Sequence, residues 1–133
     1  MILVDTNVIA YLFVRGEETA RAQAALARDP EWAAPQLWRS EFRNVLARLQ
    51  RRGVVSLAQA LEIMNRAVEQ MAAREFAVAS DDVLTLAAES GCSAYDCEFV
   101  TLARDLRVRL VTTDHQVLSA FPTTAVPLDQ FIA

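Results

Sequence analysis

The chain opens Met1-Ile2-Leu3-Val4-Asp5-Thr6-Asn7, and this stretch decides the fold. Ile2, Leu3 and Val4 form an apolar run too short for a helix of its own. A run apolar on both faces is what the centre of a parallel sheet requires. The pattern predicts a buried strand ending on Asp5, with Thr6 and Asn7 opening the next turn. In open α/β sheets, ligand sites lie just outside the carboxyl ends of the strands. Asp5 therefore falls where chemistry usually occurs. An aspartate there also suits a helix cap, because its carboxylate accepts from the free N–H groups of the first turn. The two roles are compatible if Thr6 or Asn7 caps the helix and leaves Asp5 free.

Working outward, short strands alternate with helices. Val8 to Val14 predicts a short helix, broken at Arg15-Gly16. Glu17 to Arg28 predicts a second, with acids at its start and Arg at its end, as the helix dipole favours. Asp29-Pro30 ends it. Trp32 to Pro35 reads as a connector or short strand. Gln36 to Arg52 carries one apolar stripe, Trp38, Phe42, Val45, Leu46 and Leu49, and Gly53 stops it. Glu41 lies on the border of that stripe, and Asn44, Arg48 and Arg52 follow it on the same side.

Ser56 with Gln59 three residues on predicts a capping box for a helix reaching Met71. Leu57, Ala60, Leu61, Met64, Ala67, Val68 and Met71 give that helix its apolar face. Glu75 to Ala79 predicts a short strand. Ser80 reads as the cap of a helix with Asp81 and Asp82 in its first turn and Gly91 at its close. Ser93 starts another, from Ala94 to Leu106. Val108 to Thr112 is a second firm strand, and Ala125 to Leu128 a last edge strand. Strands separated by helices give an α/β class with a small parallel sheet in a single domain, residues 1–133.

The composition is that of an ordinary globular chain, 53% hydrophobic and 23% charged, at net charge −4. An acidic chain does not bind nucleic acid through bulk charge, so any such contact needs a local patch or a metal. All thirteen basic residues are Arg, which suits bidentate phosphate contact. Cys92 and Cys97 lack the further ligands of a zinc site and read as reduced, packed thiols of a cytoplasmic protein. No apolar segment reaches the ~18 residues of a membrane span, and the N-terminus does not read as a signal peptide.

Four acids stand apart. Asp5 and Asp114 end strands, Asp96 lies in the first turn of a helix, and Glu41 sits at the edge of a core-facing one. If the sheet is parallel, these positions can converge on one pocket. Crowded carboxylates repel one another and raise one another's pKa. Mg²⁺ or Mn²⁺, which prefer oxygen ligands, relieve that cost and stabilise charge developing in phosphodiester hydrolysis. Each acid also has a plainer use. Asp96 completes a capping box with Ser93, Asp114 caps a short helix through Gln116 to Ala120, and Glu41 pairs with an arginine.

Taken in order, Asp5-Thr6-Asn7, Glu41 with Asn44 and Leu46, Ser93-Ala94-Tyr95-Asp96, Leu102-Ala103 and Leu110-Val111-Thr112-Thr113-Asp114 resemble the PIN-domain family. The set is most similar to the short VapC-type toxins of toxin–antitoxin modules. The resemblance spans nearly the whole chain. It implies a small α/β/α sandwich and a metal-dependent endoribonuclease using Mg²⁺ or Mn²⁺. Its acid quartet falls on Asp5, Glu41, Asp96 and Asp114, with Asp5, Asp96 and Asp114 as metal ligands. Its polar helpers fall on Thr6, Asn7 and Thr112. It further implies an RNA substrate, a cognate antitoxin and a homodimer. The helix from Ser56 to Met71 is a candidate partner surface, and Arg48 and Arg52 are candidate RNA contacts.

The sequence departs from the family at Phe99, where Tyr is frequent. His115 is not a family residue. A PIN-like interaction module without activity would lack an acid, and none of the four is missing. A haloacid-dehalogenase-like phosphohydrolase needs an Asp-x-Asp pair and a Lys, and a receiver domain also needs a Lys. This chain has no Lys.

Overall fold

The computed structural model describes residues 1–133. Five strands, β1 (Ile2–Val4), β2 (Trp32–Pro35), β3 (Glu75–Phe76), β4 (Leu110–Thr112) and β5 (Ala125–Pro127), form one sheet in the order β3-β2-β1-β4-β5. Every pairing is parallel. Ile2, Leu3 and Val4 are buried at the sheet centre, as their unbroken apolar run requires. From β1 the chain builds the sheet one way through β2 and β3, then crosses back and builds it the other way through β4 and β5. The strand order therefore reverses between β1 and β4, and the carboxyl ends there diverge into a crevice.

Eight helices flank the sheet: α1 (Thr6–Phe13), α2 (Thr19–Arg28), α3 (Leu37–Arg51), α4 (Leu57–Met71), α5 (Ser80–Ser90), α6 (Ala94–Leu106), α7 (His115–Ala120) and α8 (Leu128–Ile132). Helix α6 packs on β1, β2 and β4 and carries α5 against it, while α1 packs with α2, α3 and α4. The result is a three-layer α/β/α sandwich. Its core is one cluster of 32 buried hydrophobic residues, with Trp32, Trp38 and Phe42 the largest fully enclosed side chains.

Several boundaries differ from the sequence expectation for physical reasons. Helix α1 begins at Thr6, because Asp5 itself is the cap: its Oδ1 accepts from the Val8 N–H at 3.0 Å. Thr6 and Asn7 are the first helical residues and do not cap. Helix α2 begins at Thr19, and Glu18 turns to Arg21 at 2.8 Å instead of capping. Ser80 is not a cap either; Ala79 holds the extended position before α5 and makes no side-chain bond. Asp81 and Asp82 are exposed in its first turn, and Gly91 closes it at φ 72°, a conformation only glycine adopts without cost. Strand β4 starts at Leu110 because Arg107 ends α6 in the left-handed region.

The capping box is formed in full, with Ser56 Oγ accepting from Gln59 N–H at 3.1 Å and Gln59 Oε1 from Ser56 N–H at 2.8 Å. Removing the hydroxyl with Ser56→Ala is expected to cost about 1 kcal/mol, read as a thermal midpoint lower by roughly 3 °C. Both cysteines are free and buried. No helix is long and apolar enough to cross a membrane.

Candidate active site

The crevice between β1 and β4 holds a pocket of about 180 Å³. Asp5, Glu41, Asp96 and Asp114 all line it, and so do Thr6, Asn7 and Thr112. Each residue arrives by a different element. Asp5 leaves the end of β1, and Asp114 follows the end of β4. Asp96 lies in the first turn of α6, and Glu41 in the second turn of α3. Phe99 and Val117 close the apolar side, so Phe99 is both core and pocket wall.

Asp5 is the most constrained acid. Its Oδ1 caps α1, and its Oδ2 accepts from the buried Thr112 hydroxyl. Burial drives its pKa up to about 6; hydrogen bonds from Thr112, Val8 and the Thr113 backbone oppose the rise, and the Asp114 charge adds to it. Glu41 accepts from the Thr6 hydroxyl at 2.7 Å rather than pairing with an arginine. Its pKa is raised by burial and by Asp96. Asp96 is raised by burial and by Asp114. Ser93 Oγ accepts from Asp96 N–H at 3.1 Å, but Asp96 returns no bond, so half the capping box forms and the carboxylate stays free. Asp114 caps α7 through Oδ1 alone, at 2.9 and 3.2 Å to Gln116 and Val117, leaving its second oxygen available. Capping thus leaves one Asp114 oxygen unbonded, whereas both Asp5 oxygens already accept, so Asp5 is not the free carboxylate expected from a cap at Thr6 or Asn7.

The remaining expectations divide. Asn7 is exposed at the pocket rim and makes no side-chain hydrogen bond. Arg48 and Arg52 do not line the pocket; they lie roughly 10–16 Å farther along the α3 axis than Glu41. Exposed His115 opens α7 outside the pocket.

Three supporting residues were not apparent from the sequence. Tyr11 bonds the Thr113 hydroxyl at 3.2 Å and steadies the segment wrapped around Asp5. Glu75 takes the Trp38 indole N–H at 2.6 Å and both Arg39 N–H groups at 2.6 and 2.7 Å, fixing the start of α3 and with it Glu41. Burial, and after it the charge of Glu41, push the Glu98 carboxyl above its ordinary pKa. All of these depend on contacts remote in sequence, which local pattern does not carry.

The donor set is entirely oxygen, which suits a hard divalent cation. No three of its acidic, His or Cys side chains close around a common point. Such a set fits a hard cation that keeps much of its own water, as Mg²⁺ does.

The PIN-domain family model matches residues 2–122. The chain belongs to the PIN-domain family. Ribonuclease VapC3 of Pyrobaculum aerophilum is 29% identical to this PIN domain over 129 residues, covering 95% of this chain and 98% of that protein. The crystal structure of PAE2754 from Pyrobaculum aerophilum superposes with a TM-score of 0.79 at 23% identity, covering 98% of this chain and 92% of that one. A chain of a toxin–antitoxin complex from Klebsiella pneumoniae superposes at 0.73 with 19% identity, covering 96% of this chain and 98% of its own. At those identities the two structures establish the PIN fold.

Proposed function

We propose that the chain is a metal-dependent endoribonuclease acting as the toxin of a type II toxin–antitoxin pair. The observation that carries this reading is the gathering of Asp5, Glu41, Asp96 and Asp114 into one pocket at the point where strand order reverses. The likeness to a ribonuclease over nearly its whole length supports it. So does the fold shared with a chain of a toxin–antitoxin complex.

In this reading Asp5, Asp96 and Asp114 would hold Mg²⁺ or Mn²⁺ partly through its retained water, and Glu41 would complete the pocket. When bound, the cation neutralises the crowded acids and supplies Lewis acidity to the phosphodiester. Thr112 fixes the Asp5 carboxylate, and Thr6 fixes Glu41, so neither acid has to reorganise as charge develops. Glu41, held at the pocket edge, orients the attacking water. Asn7 contributes a free amide at the rim. Arg48 and Arg52 serve RNA that runs past the pocket along α3.

The cognate antitoxin answers the pocket charge with a basic side chain. A homodimer or that antitoxin covers the apolar edge where α3 passes into α4. There Val54, Leu57 and Leu61 are 55%, 62% and 58% exposed.

Incubation of a mixed RNA with the protein in Mg²⁺, in Mn²⁺ and in EDTA tests the assignment. Internal cleavage is expected with either ion and none with chelator. Undiminished cleavage in EDTA overturns the metal requirement. RNA binding without cleavage in either ion reduces the protein to a binding module.

A further inference from the structure

Next to the acid pocket lies a second cleft of about 380 Å³, lined chiefly by Gln36, Phe76, Ser80, Val83, Leu84 and Glu98. It shares α6 and the start of α3 with the acid pocket. Gln36 immediately precedes α3, five residues before Glu41, and Glu98 lies on α6 two residues after Asp96. The Glu98 carboxylate is half-buried, lines this cleft, and has no hydrogen-bond or ion-pair partner. Phe76 ends edge strand β3 and is half-buried, so its ring forms part of the wall. Leu84, on α5, is 64% exposed.

We propose that this cleft receives the nucleobase beside the scissile phosphate and selects guanine, with Glu98 accepting from the base N1–H and 2-amino groups. The inference rests on the nuclease reading above. Single-stranded RNA is read by splaying bases onto aromatic and apolar walls and hydrogen-bonding their Watson–Crick edges. Phe76, Val83 and Leu84 supply the wall. Guanine alone among the four bases offers two adjacent donors that one carboxylate spans. Adenine and cytosine each place a ring acceptor against it, and uracil flanks its one donor with carbonyls. Gln36 and Ser80 supply donors for the guanine O6. An apolar side chain of a protein partner fills the same wall but leaves Glu98 unanswered, which is costly for a group partly withdrawn from water.

The test is run on the intact protein in Mg²⁺. RNA oligonucleotides carrying each base at the positions flanking the cut are compared, and the four nucleoside 5′-monophosphates are titrated calorimetrically. Guanine is expected to be preferred at one flanking position by roughly 10- to 100-fold, and GMP to bind more tightly than the others by a similar factor. Glu98→Gln, isosteric but able to offer only one acceptor, is expected to raise KM for guanine substrates by that factor. GMP should lose its advantage, and kcat/KM for guanine substrates relative to the other three bases should fall by the same factor.

A Glu98→Gln protein with an unaltered base profile overturns the proposal. So does cleavage indifferent to flanking base, although the nuclease reading then stands. GMP preference in a protein that cuts no RNA does the reverse, keeping the guanine cleft and removing the nuclease. Loss of antitoxin binding in Glu98→Gln with base preference intact hands the cleft to the protein partner and overturns it as well.

Discussion

Asp5→Asn is expected to lower metal-dependent RNA cleavage by at least ~10²–10³-fold while making the metal-free protein more stable at neutral pH. The loss follows from position. Asp5 sits at the strand-order reversal between Thr112 and the start of α1, and it is the most enclosed of the four acids. The amide keeps the shape and still caps α1, since Asn caps as well as Asp. What disappears is the negative charge that a cation needs. Cleavage at the wild-type rate by Asp5→Asn sinks the metal assignment.

The gain in stability follows from the sign of the pKa shift. Burial lifts the Asp5 carboxyl from 3.8 to about 6 in the folded chain. The folded state therefore binds the proton more tightly than the unfolded one. The favourable contribution of that proton is complete below pH 3.8 and is lost as pH rises through about 6. By pH 7.5 the ionised, enclosed carboxylate costs up to about 3 kcal/mol in the absence of metal. Asp5→Asn removes that cost. Urea unfolding in EDTA should find the variant more stable than wild type at pH 7.5, with the difference in stability narrowed by that amount near pH 4. Glu41 and Asp96 shift in the same direction, so wild type as a whole should lose stability over this range. A stability difference between the two proteins that does not change with pH means that Asp5 is not strained by its charge. Mg²⁺ added at pH 7.5 should stabilise wild type far more than the variant.

Much of this site was legible because its parts are local. Ile2-Leu3-Val4 is an apolar run and Leu110-Val111-Thr112 a short run of strand-forming residues; Asp5 follows the first directly, and Asp114 follows the second after Thr113. The capping box at Ser56 and Gln59 is a four-residue pattern that no tertiary contact disturbs. The sequence offers Asp5, Thr6 and Asn7 as near-equal caps, and three-dimensional registry alone settles that Asp5 is the one used. Glu41 was visible as an acid on the border of an apolar stripe, but its link to Thr6 spans 35 residues. The α4 stripe also overstates burial. Ala60, Ala67 and Met71 are covered, whereas Leu57 and Leu61 face outward. Periodicity reports which arc is apolar, and only packing reports how much of that arc finds a neighbour.

Trp38→Ala should be the most damaging of the core substitutions, lowering stability by about 3–5 kcal/mol. Trp38 is fully buried, stacks at a tilt on Phe42 with 6.1 Å between ring centroids, and donates its indole N–H to Glu75. Truncation leaves a cavity between α3 and the sheet and removes one of the bonds that tie α3 to the edge strand β3. A loss of that size is a large share of the ~5–15 kcal/mol available to a domain. Trp38→Phe separates the two effects. It retains most of the ring but not the donor, and Glu75 remains held by both Arg39 bonds, so no buried acceptor is orphaned. Its cost should be only ~1–2 kcal/mol. If the two variants unfold at the same denaturant concentration, the hydrogen bond rather than packing anchors α3. If instead Trp38→Ala alone collapses both stability and cleavage, the ring is what holds Glu41 in the acid pocket, some distance from any substrate.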